Sequence, residues 1–260
     1  MSRILRRTVA AMAAVWLVAG ALHAHAGSTD PLNSALWPDV AAEYLSGDVV
    51  FDKSLRLMMP DTVENAHEVP VMVKFSADLG QVIEFVVIAE NNPIQVAARM
   101  FPRRPIEAIG LNIRLEQTTP VRVAARDEAG VWHVDSMMVN VLSPGGCSTP
   151  GGGGQLADIG AVAMKEFDRV GGSRLKVKIN HPMDTGFAAT EAGEPIPAYY
   201  IEWLTIEDEA GPIMDLETWA AMSADPVVIM DMPGRRQNVR VIARDTKGLE
   251  FEAYQRPPSM

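Results

Sequence analysis

The chain has 260 residues, a formal net charge of −10 and a single cysteine. Hydrophobic residues make up 48% and charged residues 22%, which excludes a disordered chain and fits one or two packed domains. The acidic balance, with no basic stripe to offset it, excludes a nucleic-acid binder, and one cysteine excludes an internal disulfide framework or a thiolate metal cluster.

Residues 1–26 read as an export signal. Arg3, Arg6 and Arg7 form a basic start, Val9 to Leu22 is an apolar run too short to span a bilayer, and Ala24-His25-Ala26 is a small-x-small cleavage site. Cleavage after Ala26 would remove three arginines and no acids, so the formal charge deepens to −13 and only His67, His133 and His181 remain of the histidines. The expectation is a periplasmic protein with no membrane segment after processing.

Helical signals are few. Asp30 to Ser46 carries Leu32, Ala35, Leu36, Val40 and Tyr44 near helical spacing, with Gly47 as a stop. The strand candidates in chain order are Val69 to Phe75, Val82 to Ala89, Leu111 to Glu116, and Val121 to Arg126 returning over Val131 to Leu142. Further on are Leu175 to Asn180, Tyr199 to Glu207, Val227 to Met232, and Val239 to Asp245 returning over Leu249 to Gln255. In Val121 to Arg126 apolar and polar residues roughly alternate, the pattern of a strand with one buried face. Residues 156–170 have apolar positions at helical spacing, but Gly171-Gly172-Ser173 before the Leu175 strand favours a hairpin.

The chain repeats itself at an offset of 118 residues. Val121-Arg122-Val123-Ala124-Ala125-Arg126-Asp127 matches Val239-Arg240-Val241-Ile242-Ala243-Arg244-Asp245, each followed by a turn glycine, Gly130 and Gly248. At the same offset Ile83-Glu84-Phe85 meets Ile201-Glu202-Trp203, and Ile109 and Leu111 meet Val227 and Ile229. Short strands with frequent turns, repeated once, predict an all-β fold of two immunoglobulin-like sandwiches in tandem with a short N-terminal helix. The boundaries follow as 27–142 for the first sandwich, 143–155 for a linker and 156–260 for the second.

The linker begins Ser143-Pro144-Gly145-Gly146-Cys147-Ser148-Thr149-Pro150 and continues through Gly151 to Gly154. It has too few side chains to form a core, which predicts a mobile arm, with Gly145 and Gly146 supplying flexibility. Cys147 has little nearby to hide against and no charged residue close in sequence, so its thiol is expected near the free value of ~8.5. Gly151 to Gly154 lacks the Lys-Ser/Thr of a phosphate loop, so no nucleotide cofactor is expected. His181 with Met183 is too small a donor set for a metal site and reads as a structural loop. His67 and His133 read as a turn and a strand residue. A mobile arm does not hold a nucleophile–base geometry, which argues against an enzyme.

The whole mature chain resembles a fusion of the sulfur-oxidation carrier proteins SoxY and SoxZ. Val139-Asn140-Val141 leading into Gly145-Gly146-Cys147 resembles the SoxY carboxyl terminus. His181-Pro182-Met183-Asp184-Thr185-Gly186, Ile196-Pro197-Ala198-Tyr199-Tyr200-Ile201, Ser223-Ala224-Asp225-Pro226 and Thr246-Lys247-Gly248 resemble SoxZ. The chain also resembles fused carriers associated with quinoprotein dehydrogenases. It departs from SoxY in two ways: Ser148-Thr149-Pro150 stands where SoxY has glycines, and the arm is tethered at both ends. The resemblance implies that Cys147 carries a sulfur intermediate covalently, as in thiosulfate oxidation. The implied partners are periplasmic sulfur-oxidation or quinoprotein dehydrogenase enzymes, together with the intramolecular SoxY-like/SoxZ-like pair. The alternative is a non-covalent adaptor or assembly factor for a periplasmic quinoprotein dehydrogenase.

Overall fold

The computed structural model describes residues 29–150 and 156–255. The expected export signal and the glycines from Gly151 to Gly154 lie outside the described residues. One helix, α1 (Trp37–Tyr44), precedes nine strands: β1 (Val49–Phe51), β2 (Leu55–Met58), β3 (Thr62–Val63), β4 (Val69–Phe75), β5 (Glu84–Ala89), β6 (Val96–Pro102), β7 (Ala108–Ile113), β8 (Thr119–Arg126) and β9 (Trp132–Val141). After the arm come β10 (Val162–Arg169), β11 (Gly172–Ile179), β12 (Ile201–Asp208), β13 (Gly211–Thr218), β14 (Val227–Pro233), β15 (Arg240–Asp245) and β16 (Glu250–Tyr254). The fold is all-β, as expected, and residues 162–179 form the expected hairpin, with Gly171 at φ 81° in its turn.

The two halves are joined through both of their sheets. One sheet runs β1-β9-β8-β5-β6-β13-β12-β15-β16, with β3 also on β9, and the other runs β10-β11-β14-β7-β4-β2. The crossings from half to half are β6 with β13 and β7 with β14, both antiparallel. Their register carries the repeat. Ala98 pairs with Thr218 and Met100 with Leu216, each lying 118 residues from the other's partner; Gly110 with Ile229 and Leu111 with Val228 do the same. Each crossing is therefore self-complementary, as in a twofold homodimer, and one buried core runs through both halves.

β6 and β13 escape the sequence reading. Ala, Arg, Met, Asp and Glu give these strands little β propensity, and pairing with each other supplies what propensity does not. The strand expected over Leu111 to Glu116 is displaced. β7 ends at Ile113, because the Arg114 and Leu115 amides leave the ladder to donate to the carbonyls of Ala221 (2.7 Å) and Ala66 (2.9 Å). The helix expected from Asp30 is shortened to Trp37–Tyr44. The Asp30 carboxylate instead accepts the amides of Leu32 (3.1 Å) and Ser34 (2.8 Å), a turn that competes with helix.

A further correction concerns β8, which is buried on both faces. Trp37, Val40 and Leu45 of α1 and its C-cap cover Val86, Ile88, Ala124 and Trp132 on the outer side of the sheet. Arg122, read as a polar outward position, is 0% exposed. Its guanidinium bonds Glu90 Oε1 at 2.6 Å and Asp30 Oδ2 at 2.9 Å, and lies 4.7 Å from the Trp37 ring centre. Its repeat partner Arg240 keeps the expected alternation on a strand with one exposed face, pairing with Glu207 and Glu252 near solvent.

Candidate functional site: a docked thiol arm

β9 ends at Val141, and the chain then turns back over the end of β7. The Gly145 amide donates to the Glu116 carbonyl (2.8 Å) and the Gly146 amide to the Leu115 carbonyl (3.2 Å). One Glu116 carboxylate oxygen accepts the amides of both Cys147 and Ser148, each at 3.0 Å, and the other accepts the Ser148 hydroxyl at 2.6 Å. A carboxylate gathering three donors across a turn is a strong local anchor, because each bond is charge-assisted. Thr149 closes the turn by donating its amide (2.9 Å) and hydroxyl (2.6 Å) to the Gly145 carbonyl.

The second half supplies the lid. The Thr185 hydroxyl donates to the Cys147 carbonyl at 2.6 Å and accepts the Phe187 amide at 3.2 Å. Arg114, 2% exposed, ties the layers together chiefly through carbonyls. It donates to Gly146 (3.3 Å) in the arm, to Pro182 (3.2 Å) and Met183 (3.4 Å) in the lid loop, and to Met222 (3.3 Å). It also faces His67 Nδ1 at 3.2 Å, which must accept, so His67 Nε2–H donates to Thr149 Oγ1 at 3.1 Å. His67, read as a turn residue, does sit in a turn, and it also props the arm.

These contacts correct the expected state of the cysteine. Cys147 is 0% exposed. Burial, and then the Glu116 carboxylate, push its thiol up to about 12, against an opposing pull from Arg114. No charged residue is near in sequence, but two arrive through the fold. Gly146 also departs from its expected role. A Cβ there would lie well inside contact distance of the Ala66 and Leu115 carbonyl oxygens, so glycine is needed for close approach in the docked arm. Gly145 sits at φ 109°, a conformation that glycine adopts without strain.

His181 is structural, as expected. It is 0% exposed, its Nδ1 accepts the Met183 amide at 3.2 Å, and Nε2 stands 3.7 Å from Asp245 Oδ2. This turn holds Met183 at φ 52° and presents the Pro182 and Met183 carbonyls to Arg114. Burial, opposed by Asp245, lowers the His181 pKa from 6.5 to about 4. Between those values the unfolded chain takes up a proton that the folded chain refuses. Its contribution to stability is therefore complete above pH 6.5 and is lost as the pH falls towards 4, by about 3 kcal/mol. Urea titrations across that window should show the loss, and His181→Asn should flatten it. His133, the predicted strand residue, lies in β9 between Asp52 (2.6 Å) and Asp127 (3.2 Å).

The sequence reading missed Arg114, Glu116 and Thr185. Thr185 lay within the His-Pro-Met-Asp-Thr-Gly run already singled out, whereas Arg114 and Glu116 looked like the frayed end of a strand. No group of three metal-ligating side chains occurs among the described residues, and none of their helices is long and apolar enough to cross a membrane.

Two β-sandwich halves, joined through equivalent strands, close over one cysteine on a glycine-containing turn. Residues 42–147 match the family of sulfur oxidation protein SoxY, and the match ends on Cys147 itself. Residues 165–256 match the family of sulfur oxidation protein SoxZ. The chain belongs to the fused SoxY–SoxZ sulfur-oxidation carriers. Among solved structures, the sulfur carrier protein SoxY from Chlorobium limicola f thiosulfatophilum aligns at 22% identity over 41% of this chain and 94% of its own, with a TM-score of 0.34. A superoxide reductase (neelaredoxin) from Ignicoccus hospitalis aligns at 9% identity over 36% of this chain and 94% of its own, with a TM-score of 0.31. No curated protein matches the chain.

Proposed function

We propose that the protein is an exported carrier that holds a sulfur intermediate covalently on Cys147 and presents it to periplasmic partner enzymes. The observation that carries this reading is the attachment of the arm. Cys147 is held by polar contacts to backbone and carboxylate groups on a turn, outside any strand, so it leaves its seat without breaking a sheet. While docked, a thiol near 12 is about a thousandfold less ionised at neutral pH than one nearer 9. Docking therefore keeps the thiol unreactive, and undocking returns it to ordinary thiol chemistry where a partner can load or unload it. The SoxZ half supplies the Thr185 contact and the carbonyls that orient Arg114, so both halves are required for the docked state.

Intact-mass analysis of the protein isolated from its own cells is expected to show sulfur-containing adducts that a reductant removes. Cys147→Ala should lose them and the associated function while keeping the fold, since it places no new polar group in the buried seat. A functional Cys147→Ala variant that still captures a quinoprotein dehydrogenase would overturn the covalent reading and leave the adaptor one.

A further inference from the structure

The two faces of the sheet that runs from β10 to β2 differ. The register row Leu57-Val73-Ile109-Met230-Leu175 belongs to the buried core, and the rows on either side of it point outward. One outward row reads Arg56-Lys74-Ala108-Asp231-Arg174-Phe167 from β2 to β10, and another reads Met58-Met72-Gly110-Ile229-Lys176-Lys165. Arg169 and Lys178 extend the same face. Asp231 is the only acid at these outward positions, in a chain of formal charge −10. The sequence shows no basic stripe because these cations come from β2, β4, β10 and β11, in both halves, and only the sheet gathers them.

Two pairings on this face are unfavourable. Arg56 lies directly opposite Lys74, and Lys165 directly opposite Lys176, and like charges at facing positions destabilise a sheet. Cations on edge strands guard against edge-to-edge pairing, which accounts for Arg56 on β2 and Lys165 on β10. It does not account for Lys74 and Lys176, which sit on the interior strands β4 and β11. Asp231 takes Arg169 and Arg174, and Asp225 lies 3.4 Å from Lys178. Among the described residues, Arg56, Lys74, Lys165 and Lys176 make no ion pair. Between these two cationic margins the surface is flat and apolar, with the Met72 methyl lying over Gly110 beside Met58 and Ile229.

We propose that this outer face is a docking surface for a partner protein whose own surface sets an acidic rim around a flat apolar patch. An apolar centre inside a charged rim is the anatomy of a protein–protein interface. Carboxylates at the partner's rim supply the counter-charge that the four unpaired cations lack and offset the two repulsive pairings. A nucleic acid would use the cations and leave the apolar centre without a partner. A bilayer needs protruding apolar side chains to insert, and Phe167 at the margin is the only large hydrophobic side chain at these outward positions that is exposed. The proposal goes beyond the carrier reading and does not rest on it, since an adaptor would need the same face.

The test uses the full chain and a fluorescent glutamate-rich peptide carrying leucines, with the same peptide bearing serine at every leucine as its comparison. At ~0.15 M salt the leucine peptide is expected to bind more tightly than the serine one, and its affinity should fall as salt rises. Lys74→Gln, Lys165→Gln and Lys176→Gln together should weaken the leucine peptide by about tenfold or more, while Arg240→Gln, Arg244→Gln and Lys247→Gln together, which remove the same charge from β15 and its turn, should leave it within about twofold. The first variant should melt no lower than the unsubstituted protein, because it relieves both like-charge pairings. Absent binding, or equal binding of the two peptides, overturns the proposal, as does an equal loss from the two variants. Tighter binding to phosphatidylglycerol vesicles or to an oligothymidylate than to the leucine peptide also overturns it, as does a lowered melting temperature, which would make these cations structural. Cys147→Ala should bind the peptide as the unsubstituted protein does, so this surface and the covalent reading of Cys147 can fail separately.

Discussion

Gly146→Ala is expected to evict the arm from its seat and raise the rate of Cys147 alkylation by an uncharged maleimide by about a hundredfold or more. The added methyl meets two backbone carbonyl oxygens, on Ala66 and Leu115, and neither is the end of a flexible side chain that can swing aside. The arm is held chiefly by three charge-assisted bonds to Glu116 worth about 1.5–3 kcal/mol each, and ordering it costs about 1–2 kcal/mol per residue, so the docked state is favoured by only about 3 kcal/mol. A clash costing about 1–3 kcal/mol decides such a balance. The sandwich itself should be untouched, with the melting temperature moving by no more than ~2 °C. An alkylation rate equal to that of the parent protein would show that the arm is not held by this close approach. A rise in rate accompanied by a large fall in melting temperature would place Gly146 in the fold rather than in the latch.

Arg122→Met is expected to destabilise the protein by about 3–5 kcal/mol, because it leaves Asp30 and Glu90 buried without their cation. The melting temperature should fall by roughly 10 °C. The repeat provides the control. Arg240→Met, at the position 118 residues on, removes pairs with Glu207 and Glu252 that are open to solvent, and should leave stability almost unchanged. Equal losses from the two substitutions would mean that the α1 cover contributes nothing to the charge network beneath it. The comparison is close, since residue type and antiparallel pairing are shared by β8 and β15, although Arg122 pairs with Ile88 while Arg240, one residue out of the equivalent register, pairs with Glu207.

Much of the architecture is legible in the chain because strands announce themselves through local alternation and turn chemistry. Val69–Phe75 was placed to the residue, and the Asp-x-x-Gly turns at Gly130 and Gly248 lie where the glycines put them, at φ 87° and 80°. The repeat was legible for a related reason: two halves that pair through equivalent strands must keep similar residues at a constant offset. The crossing strands β6 and β13 were not legible. Their partner lies over a hundred residues away, and nothing local marks Arg99 opposite Glu217 as a ladder position.

The cysteine divides the two kinds of information most sharply. Composition and spacing singled out Cys147 and its glycine neighbours, because a lone thiol among residues without side chains is conspicuous by itself. From the same neighbours the chain predicted an exposed, ordinary thiol, and the fold reverses that. Arg114 and Glu116 come from beyond the end of β7 and Thr185 from the other half, and they meet the arm only after both sheets have closed. Burial and charge at a site depend on what the fold brings near, so they could be decided only in three dimensions. Which residue is the candidate for attachment is local information, and the sequence alone supplied it.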